Sequence, residues 1–219
     1  NRGTHGDSSL MLCPIGQSNE KPPLQVLAKW WEYVTELEKI MNHKRVLIIE
    51  GSPRKKGNSQ LLCEAFKKGA EEAGHLVDLI RIQEKKISFC VACDGCMRNG
   101  GTCVLRDDMA EVLRLFQEAD VLVLATPVYF YGVSAQIKTF IDRTYPIWQN
   151  LGQKDVYYIV SAGLGEDIIN RSLGDLDGFV EHLKDSEVKG RIYAANVMEA
   201  GLVKDTGLIT DAYQMGRNV

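Results

Sequence analysis

The sequence lacks any apolar run near the roughly 18–20 residues needed to cross a bilayer as a helix. It also lacks a basic start followed by an apolar stretch in its first twenty residues, so no secretory signal is expected and a cytoplasmic location is. Charge of one sign is missing too. With 26 basic and 29 acidic residues, the net charge of −3 gives no electrostatic reason to expect nucleic acid or an anionic membrane as partner. Histidine is scarce, and the four present (His5, His43, His75 and His182) show no metal-ligand spacing. No internal repeat or low-complexity segment breaks the chain. What is present is ordinary for a globular domain: 219 residues, of which 45% are hydrophobic, are enough to bury one full core.

Two regions differ in pattern. Residues 1–41 read as an N-terminal extension: a polar arm over Asn1–Lys21, then an amphipathic helix opened by Pro22-Pro23. Its apolar stripe runs through Leu24, Leu27, Trp30, Trp31, Val34, Leu37, Ile40 and Met41. Such a stripe calls for docking, on a neighbouring subunit or on the chain's own domain.

Residues 42–219 read as one domain of alternating strands and helices. Val46–Ile49 is an apolar run of the kind found in a strand buried on both faces, and Val121–Ala125 is another. Further strands are expected over His75–Ile82, Val156–Val160 and Ile192–Val197. Helices are expected over Ser59–Ala73, from Asp107 or Asp108 to Ala119, and over Ser134–Thr144, Leu173–Leu183 and Ile209–Arg217. Gly69 is read as letting the first of these approach the sheet. The fold class is therefore α/β: a doubly wound, five-stranded parallel sheet with an extra N-terminal helix.

Three loops at one end of this sheet carry binding residues. Gly51–Ser59 joins the first strand to a helix N-terminus, where free N–H groups and the helix dipole favour an anion. Ser52, Asn58 and Ser59 are short donors and Arg54 is a fixed cation. The spacing fits neither a nucleoside-triphosphate loop nor a dinucleotide fingerprint: five residues separate Gly51 from Gly57, and Asn58 stands where lysine should be. The second loop, Thr126–Gly132, places three aromatics in a row, suited to a planar ring, although Phe130 also suits a core position. The third, Ser161-Ala162-Gly163, is small enough to let a ring lie against backbone.

Cys90, Cys93, Cys96 and Cys103 fall within fourteen residues of irregular chain. That spacing suits one four-iron cluster, tetrahedral zinc or a thiol redox pair. Following the second strand, the loop is expected near the sheet end that holds the ring. Cys63 reads as a packing residue, and Asp107-Asp108 as a helix cap rather than acid/base machinery.

The run Gly51–Ser59, the segment TPVYFYGVSAQIKTFIDR (Thr126–Arg143) and the small third loop together resemble flavodoxin-like NAD(P)H-dependent FMN reductases. The iron–sulfur flavoproteins are the most similar subgroup, and the likeness covers about Lys44 to Val219. It implies that Ser52, Arg54, Asn58 and Ser59 hold the FMN phosphate. Pro127, Val128, Tyr129, Phe130 and Gly132 would flank the isoalloxazine, with Ser161 and Gly163 on its other side. It also implies a homodimer or homotetramer, and an iron–sulfur cluster on the four cysteines. The expected activity passes electrons from NAD(P)H through flavin to a quinone, azo, nitro or flavin acceptor, with no catalytic protein residue, because the cofactor carries the chemistry. The alternative is an FMN electron carrier serving protein partners.

Overall fold

The computed structural model describes residues 23–41 and 43–219. The expected arm over Asn1–Lys21 lies outside the described residues. The chain divides into two units, Asn1–Asn42 and His43–Val219. The first contains helix α1 (Leu24–Met41), whose Leu24 and Trp31 are exposed. No described helix is long and apolar enough to cross a membrane.

The second unit is built on six strands: β1 (Arg45–Glu50), β2 (Leu76–Arg81), β3 (Val121–Tyr129), β4 (Gly132–Val133), β5 (Asp155–Ser161) and β6 (Glu187–Ala194). Five run parallel in the order β2-β1-β3-β5-β6, and β4 folds back antiparallel on the end of β3. The doubly wound parallel sheet matches the sequence expectation, with β4 as an addition.

Alternation along the central strands separates two cores. Leu47, Ile49, Leu122, Leu124 and Tyr158 face helices α4 (Met109–Glu118), α5 (Ala135–Arg143) and α6 (Glu166–Glu181). Val46, Ile48, Val121, Val123 and Ile159 face α2 (Asn58–Glu72) and α7 (Leu208–Arg217). A single turn, α3 (Gly95–Arg98), lies within the cysteine loop.

Gly69 corrects the sequence reading. A Cβ there would lie 2.0 Å from the carbonyl oxygen of Tyr213, and one on Gly216 would lie 2.1 Å from that of Phe66. The glycines thus bring α2 against α7, not against the sheet.

Lys154 is 2% exposed, with its ammonium donating to the Ala119 carbonyl and lying 5.5 Å from the Phe116 ring centre. Desolvation lowers its pKa. A lysine whose folded pKa lies below its unfolded value costs stability while it is charged, and that cost is relieved as pH rises through the folded pKa. Lys154→Met should therefore raise stability at neutral pH by about 1 kcal/mol, net of the carbonyl left without its donor. The gain, read as melting temperature, should shrink at alkaline pH.

Candidate active site

The C-terminal ends of β1, β3 and β5 deliver the three loops to one cavity of about 610 Å³, a size in the range of cofactor sites. Gly51 leaves β1 where any Cβ would strike Ile137, and its carbonyl accepts the Ser134 hydroxyl at 2.8 Å. Ser134 caps α5 by accepting from Ile137 N–H, and its own N–H donates to Thr126 Oγ1 at 2.9 Å. Loop one, the end of β3 and the start of α5 are thereby stitched into a fixed frame.

Beyond Gly51 the chain turns tightly. Arg54 N–H donates to Ser52 Oγ, Gly57 N–H donates to the Arg54 carbonyl, and Lys56 adopts a φ of 56°. Helix α2 then begins after Gly57 with no side chain capping its first turn. Gly57, Asn58 and Ser59 line the cavity, so the leading N–H groups of α2 are available to an anion there. Arg54 reaches across the loop to the Met198 carbonyl at 3.1 Å.

Two predicted ligands are engaged otherwise. The Asn58 amide donates to the carbonyls of Val197 and Glu199, both at 2.9 Å. Its oxygen accepts the N–H groups of Gly201 (3.0 Å) and Val203 (3.2 Å). All four of its hydrogen-bonding positions are filled, so what Asn58 can offer an anion is its backbone N–H. Ser59 and Ser161, both buried, share a hydroxyl–hydroxyl bond at 2.9 Å. They tie the first loop to the third.

The second loop is not a loop. Strand β3 runs on to Tyr129, pairs with Gly132 of β4, and turns through Phe130 (φ 48°) and Tyr131 (φ 66°). Both central residues of this two-residue hairpin are left-handed, a geometry that ordinarily selects Asn-Gly. Bulky aromatics there are strained. Phe130 is fully exposed, which corrects its reading as a core candidate. Pro127, Val128, Tyr129, Phe130 and Tyr131 line the cavity; Gly132 is needed to close the hairpin but is not in the lining. The Arg171 guanidinium lies 5.1 Å from the centre of the Tyr131 ring.

Gly163 also allows a close approach. A Cβ there would lie 2.7 Å from Met198. Met198, with Val197 and Ala200, forms a fourth wall that the sequence reading missed, as it missed Leu164 and Ile168. The signal was available: the loop after the last parallel strand ends at the same sheet edge as the other three.

The cysteine loop forms a site of its own. Cys90, Cys93, Cys96 and Cys103 all line a second cavity, of about 830 Å³, which shares no lining residue with the first. Its other walls come from the C-terminal halves of α5 and α6, which lead away from the cofactor edge. The loop was expected near the sheet end that holds the ring; its thiols line a cavity apart from the first, and Arg143 clasps both ends of the loop. This arginine, 2% exposed, donates to the Ser88 carbonyl, to both oxygens of Asp107 (2.8 and 2.9 Å) and to Cys103 Sγ (3.8 Å). Arg143 also holds the Asp107 carboxyl below the ordinary aspartate range.

Asp108 stands at the N-cap of α4 but makes no side-chain cap bond and accepts Lys86 N–H instead, while Asp107, one residue earlier, accepts Met109 N–H and Ser88 N–H. The pair clamps the loop as well as starting α4. Among the described residues no three His, Cys, Asp or Glu side chains are arranged to hold a metal ion. The four thiols as placed therefore do not fit a ligand set. Cys63 is wholly buried and its pKa is pushed well up by burial, consistent with a packing role.

The sequence pattern described as NADPH-dependent FMN reductase matches residues 44–183, spanning all three loops and the cysteine segment. The chain belongs to that family. An iron–sulfur flavoprotein of Archaeoglobus fulgidus is 44% identical over 121 residues, 54% of either chain. One from Methanocaldococcus jannaschii is 39% identical over 103 residues, covering 47% of this chain and 53% of its own. The chain thus spans about half the length of these relatives. A putative NAD(P)H-dependent FMN-containing oxidoreductase of Bacillus subtilis is 23% identical across 78% of this chain and 96% of its own. In fold, the chain is similar to an NAD(P)H:quinone oxidoreductase of Methanothermobacter marburgensis, with a TM-score of 0.63 and 19% identity. That alignment covers 80% of this chain and 96% of the other. The sheet is accordingly flavodoxin-like.

Proposed function

We propose that the 610 Å³ cavity binds FMN and that the protein passes electrons from NAD(P)H through the flavin to a small acceptor of the quinone, azo, nitro or flavin class. The observation that carries this reading is one cavity joining an uncapped helix N-terminus at one side to a strained, exposed aromatic hairpin at the other. The first suits a phosphate and the second a flat ring. The quinone reductase fold neighbour and the NAD(P)H-dependent relative support the same class.

Within this reading the chain binds, orients and shields. The leading N–H groups of α2 and Arg54 hold the phosphate. Gly163 and Pro127 bring backbone close to the ring, and Tyr129 and Phe130 limit water at its open side. Bound FMN supplies the hydride and electron chemistry, and among the described residues the cavity lining contains no carboxylate or histidine to act as acid or base. The relatives named iron–sulfur flavoproteins point to a cluster for Cys90, Cys93, Cys96 and Cys103, but the thiols as placed form no ligand set among the described residues.

FMN-loaded protein mixed anaerobically with NADPH or NADH should lose its flavin absorbance without any protein partner. If dithionite bleaches the flavin but neither nucleotide does, the reductase reading fails and a carrier that takes electrons from proteins replaces it.

A further inference from the structure

Glu50 ends β1 in register between Arg81 of β2 and Ala125 of β3, and it is wholly buried. It lies immediately before the phosphate-type loop, where a carboxylate is electrostatically out of place. A buried charge is costly unless it is paired and hydrogen-bonded, and here both conditions are met. Glu50 Oε1 accepts Ser52 N–H at 2.9 Å, and Oε2 accepts Arg81 Nε at 2.9 Å. Arg81 continues upward: Nη1 donates to Glu84, and Nη2 donates to the Arg54 carbonyl at 3.4 Å. Ser52 and Arg54, two residues of the loop, are thus held from beneath by one buried pair. The pairing turns Ser52 N–H inward, away from the set of donors offered to a ligand.

We propose that Glu50 is a positioning residue for the flavin phosphate, acting with Arg81 to fix the Gly51–Gly57 turn in its anion-binding form. The proposal rests on the cavity being an FMN site. It also gives flavin selection a dependence on pH. The charged and titratable groups facing Glu50 are Arg81 on β2, Glu84 just after it and Cys63 on α2. Burial raises the Glu50 carboxyl from its ordinary value, opposed by the hydrogen bonds from Arg81 and Ser52. Ionised Glu50 grips Arg81, and protonation releases that grip. The loop's hold on phosphate should therefore weaken as pH falls through the raised carboxylate value.

The test compares dissociation constants for FMN and for riboflavin, which lacks the phosphate, by flavin fluorescence over a pH series from about pH 5 to about pH 8. At pH 8 Glu50→Gln should reduce the preference for FMN over riboflavin by about tenfold, the scale of one charge-assisted hydrogen bond. As pH falls, wild type and variant should converge. Arg81→Lys, which keeps the charge and loses the fork, should lower the preference in the same direction, and it serves if Glu50→Gln does not fold. Lower melting temperatures with an unchanged FMN preference in both variants would make Glu50 a simple strut and overturn the proposal. A wild type that does not prefer FMN to riboflavin would instead overturn the site reading itself.

Discussion

Arg143→Met is expected to cost about 3–5 kcal/mol of folding stability, because it strands Asp107 as a nearly buried carboxylate without its cation. The arginine ties α5 to both the entry to the cysteine loop at Ser88 and the start of α4. It persists although its Nε has no partner, a penalty that marks it as hard to replace. Asp107→Asn in the same background should recover part of the loss, since the stranded charge goes with it; a double-mutant cycle on melting temperatures measures the coupling. A second readout separates loop release from general destabilisation. Cys90 and Cys93 are exposed, Cys103 is half-buried against Arg143 and Cys96 is buried, so wild type should show two fast-reacting thiols in this loop and the variant three or four. A variant as stable as wild type, with unchanged thiol reactivity, would show that the loop is held by something else.

Gly69→Ala is expected to destabilise even though helix propensity alone favours alanine by ~1 kcal/mol. The new Cβ meets a carbonyl oxygen at 2.0 Å, and a backbone cannot swing aside as a side chain can. Overpacking costs reach about 3 kcal/mol, so the net loss should be about 2 kcal/mol, read by chemical denaturation. Gly216→Ala, which meets the Phe66 carbonyl from the opposite helix, should behave alike. Because each clash alone forces α2 and α7 apart, the double variant should lose less than the sum. A stabilised Gly69→Ala would mean that the two helices separate freely.

The sequence made some elements plain and hid others for definite physical reasons. Strands β1 and β3 are buried on both faces, so Val46–Ile49 and Val121–Ala125 had to be continuous apolar runs. Strand β6 lies at the sheet edge, and its first residues, Glu187–Gly190, alternate between exposed and half-buried. It therefore looked like loop until Ile192, five residues late. Helix α6 was likewise begun late, because Glu166 and Asp167 open it with charge rather than apolar spacing. The three cavity loops were legible because strand-end position and residue type coincide there.

What the sequence did not disclose was where polar side chains spend their hydrogen bonds. Asn58 and Ser59 look like phosphate donors by type, yet the first holds a distant loop and the second holds Ser161. Nor could periodicity reveal a hairpin turning through two aromatics, since nothing local favours it. The path of the cysteine loop depends on Arg143, some forty residues further along the chain, a separation no local pattern spans.

The segment that Asn58 anchors makes the pocket depend on two distant stretches of chain. Val197, Met198 and Ala200 complete the cavity from beyond the last parallel strand. One side chain on α2 keeps that wall in place, because Asn58 bonds the carbonyls of Val197 and Glu199 and the N–H groups of Gly201 and Val203. Since all four bonds reach backbone, the wall's own side chains can be exchanged without loosening its hold on α2, whereas a change at Asn58 would free the whole wall at once.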